Sequence, residues 1–155
     1  LSLDFYTIDN SYVSKLKAVQ GHVRDNGGRK YIGIVLEVNQ IPYYVPLCSP
    51  KGKMKGWGKK DDVFLLNDGK QGFLDFANML PVPQKYIFRF SINNITDEAY
   101  KKLVRDQYKI ITKSENQKMI RKKARITYNN KRKQGKKYFC CLDFKKMETV
   151  YNANK

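Results

Sequence analysis

Residues 45–53 read Val-Pro-Leu-Cys-Ser-Pro-Lys-Gly-Lys. A thiol (Cys48), a hydroxyl (Ser49) and an amine (Lys51) fall close together there, and Lys53 and Lys55 follow. Three readings are open for such a segment. Cys48 could attack a carbonyl or a disulfide, with Lys51 lowering its pKa. The hydroxyl, the backbone N–H groups and the lysines could instead grip phosphate oxygens. The third reading is a hairpin end in a very basic protein. The thiol route lacks an obvious general base, because the one histidine, His22, sits in the loop-like GHVRDNGGR stretch. A two-histidine ribonuclease mechanism within one chain is excluded on the same ground. Asp61 and Asp62 are neighbours, which on a strand would face opposite ways, so they make a poor metal clamp. No metal-ligand spacing is present, and GKMKG at 52–56 lacks the spacing of a nucleotide phosphate loop.

Phosphate binding matters because RNA supplies its own nucleophile. A 2′-hydroxyl can attack the adjacent phosphorus in line, leaving a cyclic phosphate and a 5′-hydroxyl. The protein must then remove a proton, stabilise the added negative charge and hold the geometry. Lys, Arg, Ser and Tyr can do this without a metal. The residues alone do not choose between such a nuclease and a module that only binds RNA.

The overall charge points to the same partner. The 155 residues carry 31 Lys and Arg against 14 Asp and Glu, a formal +17. That excess opposes compaction and exceeds what solubility requires, so a polyanion is expected, nucleic acid before an anionic membrane. Between Glu115 and Asp143 there is no acid, while Lys118, Arg121, Lys122, Lys123, Arg125, Lys131, Arg132, Lys133, Lys136 and Lys137 all fall in that interval. It reads as a track for a phosphate backbone, giving affinity with little sequence choice. Eleven tyrosines and Trp57 add flat surfaces on which unstacked bases can lie; Trp57, Tyr108, Tyr128 and Tyr138 sit among basic residues. The odd cysteine count (Cys48, Cys140, Cys141) suggests reduced thiols in a cytoplasmic protein. No apolar run is long enough to span a membrane, and the first residues lack a basic leader of the secretory kind.

The elements that must position these groups are short. YIGIVLEV (31–38) and IPYYVPLCS (41–49) read as a hairpin turned at Asn39-Gln40, with Pro42 and Pro46 marking an exposed or irregular edge. VFLL (63–66) and GFLDF (72–76) suggest a second hairpin. A short helix is expected over 10–18 and a longer one over 95–111, capped by Thr96 or Asn94. A further basic helical stretch follows Ser114, with ITYNN as a short strand or break. KYFCCL (137–142) reads as a last strand, before a terminal helix capped by Asp143. This pattern predicts one compact α+β domain over 1–155, with a small, strongly bent sheet and helices beside it.

FYTID at 5–9 followed by Tyr12, YIGIVLEVN at 31–39, YYVPLCSPK at 43–51 and GFLDFANMLPVP at 72–83 resemble, in that order, the ToxN/AbiQ/CptN family, and most nearly its CptN branch. These are the endoribonuclease toxins of type III toxin–antitoxin systems, and the similarity spans roughly 5–125. The resemblance implies an SH3-like small β-barrel core, related to the MazF/Kid toxins, with added helices. It implies metal-independent cleavage of cellular or phage RNA to 2′,3′-cyclic phosphate and 5′-hydroxyl ends, with no cofactor. The partner it implies is a small pseudoknotted RNA antitoxin that the toxin both processes and binds, in closed protein–RNA rings, with abortive phage defence as one outcome.

Carried onto this chain, the family's active-site positions fall on Tyr12, Arg29 (with Lys30 adjacent), Ser49 and Lys51. Cys48 stands where the family commonly has threonine. In the mechanism so implied, Lys51 stabilises charge or transfers a proton, and Arg29, always protonated, clamps the phosphate. Ser49 and the Cys48 N–H orient its oxygens, and Tyr12 stacks on or bonds to a flanking nucleotide. Lys30, Lys53, Lys55, Trp57 and the basic interval would hold RNA. The competing reading is a non-catalytic, basic RNA-binding protein on the same fold.

Overall fold

The computed structural model describes residues 2–24, 27–52, 54, 56–134 and 142–155, with backbone alone for 131–134. Four helices and seven strands are found among them. Strand β1 (Asp4–Ile8) leads into helix α1 (Asn10–Val19), which is capped by the Asp9 carboxylate accepting from the Ser11 N–H. Then β2 (Tyr31–Val38) and β3 (Ile41–Cys48) form the expected hairpin. Its two turn residues, Asn39 and Gln40, both have positive φ, 50° and 69°, the left-handed pair that matches the twist of a tight hairpin. Strands β4 (Val63–Leu65) and β5 (Phe73–Asp75) make the second hairpin. β6 (Leu80–Pro81) and β7 (Ile87–Arg89) complete the sheet.

The sheet runs β4-β5-β3-β2-β1-β7, and β6 also pairs with β3. The α+β class is as expected, but the barrel is not closed: β4 and β7 are left at opposite ends of the path. β3 is also no edge. It pairs along its length with β2, while its other side is shared by β6 at Tyr43–Tyr44 and β5 at Leu47–Cys48. Pro42 and Pro46, which lack an N–H, stand outside both of those short pairings, so the irregularity they signalled became a division of one strand side between two partners.

Helix α2 (Glu98–Thr112) is capped by Asp97, whose carboxylate accepts from the Tyr100 N–H at 3.0 Å. Thr96 lies one residue and Asn94 three residues before that cap. Helix α3 (Ser114–Gln134) runs straight through ITYNN. Ile120, Ala124 and Tyr128 recur every fourth residue and are all buried, and such packing overrides the weak β preference of Ile and Thr. Helix α4 (Phe144–Asn154) starts at the Asp143 cap, as expected. The strand expected at 137–142 lies largely outside the described residues.

The core lies between the sheet and the helices. Phe5, Ile32, Tyr43 and Val45 from the strands meet Leu16, Ile111, Ile120 and Met147 from the helices. Tyr43 and Tyr128 donate to the same Glu148 oxygen at 2.6 and 2.9 Å, which ties β3, α3 and α4 together. No helix among the described residues is long and apolar enough to cross a membrane.

Candidate active site

β3 ends at Cys48, and the chain then emerges as an exposed turn, Ser49-Pro50-Lys51-Gly52. Cys48 pairs with Phe73 at the start of β5. The residue before it, Gly72, has φ 106°, and a Cβ there would sit 2.3 Å from the Cys48 carbonyl oxygen. Only glycine lets the two segments approach so closely.

Beneath the turn is a charged cluster. The Cys48 side chain is buried, with its sulfur 3.9 Å from Arg29 Nη1 and 4.0 Å from the Pro46 carbonyl. Burial pushes the thiol pKa up, and Asp75 adds to this, while Arg24, Arg29 and Lys51 oppose it. A thiol so placed stays protonated, which removes the support for Cys48 as a nucleophile. Asp75 is itself buried, accepting from Arg24 Nη2 at 2.9 Å and Asn78 Nδ2 at 2.7 Å. Its burial still outweighs those contacts and raises its pKa. Arg29 Nε is buried and has no partner among the described residues. Three cations and one buried carboxylate thus surround the end of β3, an arrangement that favours an added anion.

On the other side of the turn lies a pocket of about 160 Å³, lined by Lys30, Ser49, Lys70, Gln71, Tyr100 and Gln107 among others. The Lys30 amine contacts the Tyr100 hydroxyl and lies 4.6 Å from the centre of its ring and 5.4 Å from that of Phe90. Trp57 packs edge-on against Phe73 in the small apolar group that includes Cys48 and Met54, with the Lys60 amine over its ring at 4.8 Å. Among the described residues, no group of His, Cys, Asp and Glu side chains is placed to hold a metal ion.

The residues singled out from the sequence therefore divide. Arg29, Cys48, Ser49 and Lys51 meet at one place, with Lys30 and Trp57 close by. Tyr12 does not join them. It is fully buried, stacks on Tyr86 at 4.9 Å, and donates to the Pro81 carbonyl at 3.0 Å. A ring so enclosed offers no face to a nucleotide, and burial raises its pKa. His22 lies exposed in its loop. Of the basic interval, Lys118, Lys122 and Arg125 are exposed on α3 and Arg121 is half-buried. Lys123 differs. It is 8% exposed, and its amine donates to the Gly58 and Lys60 carbonyls at 3.3 and 2.6 Å. That cation is committed to holding the 58–60 loop against α3, since a buried ammonium needs acceptors. Tyr108 packs edge-on against Phe5, and Tyr128 is in the core. Lys53, Lys55, Lys136, Lys137 and Tyr138 lie outside the described residues, as do the side chains of Lys131, Arg132 and Lys133.

Sequence reasoning missed Arg24, Asp75, Tyr100 and Gln107. Asp75 carried a signal, being an acid between apolar residues in GFLDF. A buried acid needs a cation, and Arg24 supplies it.

Known proteins resemble this chain in sequence and in overall fold. The family described as toxin ToxN of type III toxin–antitoxin systems matches residues 4–152. Endoribonuclease ToxN of Bacillus thuringiensis subsp. kurstaki is 30% identical, over 93% of this chain and 80% of its own. Endoribonuclease AbiQ of Lactococcus lactis subsp. lactis is 28% identical, over 98% and 91% respectively. A solved type III toxin, selectively inhibited by a non-coding RNA pseudoknot, is 28% identical and superposes with a TM-score of 0.83, over 99% of this chain and 98% of that one. The structure of AbiQ, a lactococcal anti-phage endoribonuclease, gives 0.84 over 99% and 98%, and at 21% identity this likeness speaks for the fold alone. With nearly its whole length matched in sequence and in fold, this chain belongs to the ToxN toxin family of type III toxin–antitoxin systems.

Proposed function

We propose that this chain, as one domain over 1–155, is an endoribonuclease toxin that cuts single-stranded RNA by attack of the RNA's own 2′-hydroxyl. The products are 2′,3′-cyclic phosphate and 5′-hydroxyl ends, and no metal takes part. A small pseudoknotted RNA, which the toxin processes and assembles with into closed rings, holds it in check in the cytoplasm, and phage RNA is among the substrates. The sheet is then an opened relative of the SH3-like core of the MazF and Kid toxins. The observation that carries the reading is the exposed Ser49–Lys51 turn set over Arg24 and Arg29 at the end of β3.

Each group has a role. Arg29 stays protonated, so it stabilises the charge that develops on phosphorus and takes no proton. Lys51, exposed in the turn, serves the phosphate or transfers the proton, and Ser49 with the Cys48 N–H orients the oxygens. Tyr12 enters through packing, because its bond to Pro81 holds α1 on the sheet. The exposed cations of α3 bind the backbone of the inhibitor RNA.

The test is incubation with cellular RNA in EDTA, reading the ends of every product. Discrete cuts carrying a cyclic phosphate are expected from the wild type, at strongly reduced rates from Lys51→Ala and Ser49→Ala, both of which should still bind RNA. RNA that is bound tightly but left whole by the wild type would leave a basic RNA-binding module instead.

A further inference from the structure

Lys123 lies on the buried face of α3, among Ile120, Ala124 and Thr127, where an apolar residue is the ordinary choice. A buried ammonium is unfavourable unless acceptors meet it, and the 58–60 loop supplies two, the Gly58 and Lys60 carbonyls. Beside it the Thr127 hydroxyl donates to the Asp61 carbonyl at 3.2 Å. Helix α3 thus holds three carbonyls of one loop.

That loop is the far end of the segment that carries the candidate site. Strand pairing stops at Cys48 and resumes at Val63, so ladder bonds do not fix residues 49–62. Smaller contacts do. The Lys60 N–H bonds to the Trp57 carbonyl at 3.0 Å, and the Trp57 N–H to the Met54 carbonyl at 3.1 Å. Met54 is buried, and its sulfur accepts from the Lys51 N–H at 3.4 Å. It fills the space over Gly69, where a Cβ would come within 2.9 Å of that sulfur. A continuous series of contacts therefore runs from Lys123 on α3 to the backbone of Lys51.

We propose that Lys123 is a positioning residue for RNA cleavage: by fastening the 58–60 loop to α3, it sets where the Ser49–Lys51 turn stands over Arg29. The inference rests on the nuclease reading of that turn. Lys123 itself touches no RNA, since the loop takes up its amine. Its effect comes through geometry. Charge developing in a transition state is stabilised best by groups already in place, and a displacement of about 1 Å can lower a rate on the order of a hundredfold.

The experiment measures Lys123→Met, which keeps an apolar stem and removes the charge, on a short RNA with one cut site. It also follows the emission of Trp57, the single tryptophan. Trp57 is half-buried against Phe73 and begins the short 57–59 turn that Lys123 fastens, so it reports the loop directly. In Lys123→Met, kcat should fall roughly tenfold to a hundredfold, KM should stay within about threefold of wild type, and Trp57 emission should move to longer wavelength. Met147→Ala is the control. It opens the core at α4, which packs on β6 and α1, and should lower stability in denaturant while kcat and Trp57 emission stay as in wild type. An equal loss of kcat in Met147→Ala would mean general loosening and overturn the proposal. So would a kcat kept by Lys123→Met, or a Trp57 emission that it leaves unmoved. If Lys123→Met does not fold, Thr127→Val is read in the same way, with a smaller loss expected. A wild type that cuts no RNA ends the nuclease reading and the positioning role with it. A wild type that cuts no faster than Lys123→Met ends the positioning role alone.

Discussion

Two basic regions of this molecule use charge in opposite ways. The turn after β3 carries few cations, but it is pinned: strand pairing, the close approach of Gly72 and the pairing of half-buried Arg24 with buried Asp75 fix what lies under Lys51. Helix α3 carries many, and Lys118, Lys122 and Arg125 stand in water on a long rod. A fixed cluster over a buried base suits the stabilisation of one transition state. A solvated row suits a phosphate backbone, which it can hold in many registers. Lys123 serves neither use, since its amine is spent on the carbonyls of the 58–60 loop.

The comparison predicts different losses. Lys51→Ala should lower the cleavage rate by about 10²–10³-fold while RNA affinity, read by filter binding, stays within the same order. The combined Lys118→Ala, Lys122→Ala and Arg125→Ala variant should behave inversely. Its kcat should hold, and the slope of log K against log salt should become shallower by about two. A collapse of kcat in the triple variant would erase the distinction between the regions.

The next effect concerns the base of the cluster. Arg24→Met leaves Asp75 with Asn78 and the Ala77 N–H but no cation, and should cost about 1–3 kcal/mol in denaturant unfolding. The Asp75 pKa is already raised by burial, and losing Arg24 raises it further. The folded state then holds the proton more tightly than the unfolded one, so stability is kept in acid and lost as pH rises through the folded pKa. The variant should therefore fall further below wild type at pH 7.5 than at pH 4.5, and an equal deficit at both would refute the account. Smallest of all should be Cys48→Ser, with cleavage of the same order as wild type, because a buried, protonated thiol contributes no nucleophile. A large loss would return chemistry to the sulfur.

The readable parts of this chain were those governed by local rules. Asn39-Gln40 announced a tight turn and Asp143 a cap, and the Cys48–Lys51 segment announced an exposed strand end. Other features were settled only by contacts between distant residues. ITYNN joined α3 because Ala124 and Tyr128 had a core to enter, and Pro42 and Pro46 fell in a central strand because two short partners divide its outer side. Tyr12 matched a family position, yet no sequence pattern shows whether a tyrosine faces a groove or the Pro81 carbonyl. Lys123 did leave a trace, as a cation among the buried Ile120, Ala124 and Thr127, which became meaningful only once the 58–60 carbonyls were found beside it.

Gly72 has no functional group, yet any side chain at that position would wedge β5 away from the strand that carries the turn. In genetic terms it is a silent target. Selection for cells that survive without the RNA inhibitor should return substitutions at this glycine beside those at Lys51 and Arg29. Such variants would keep every charged residue and still be harmless.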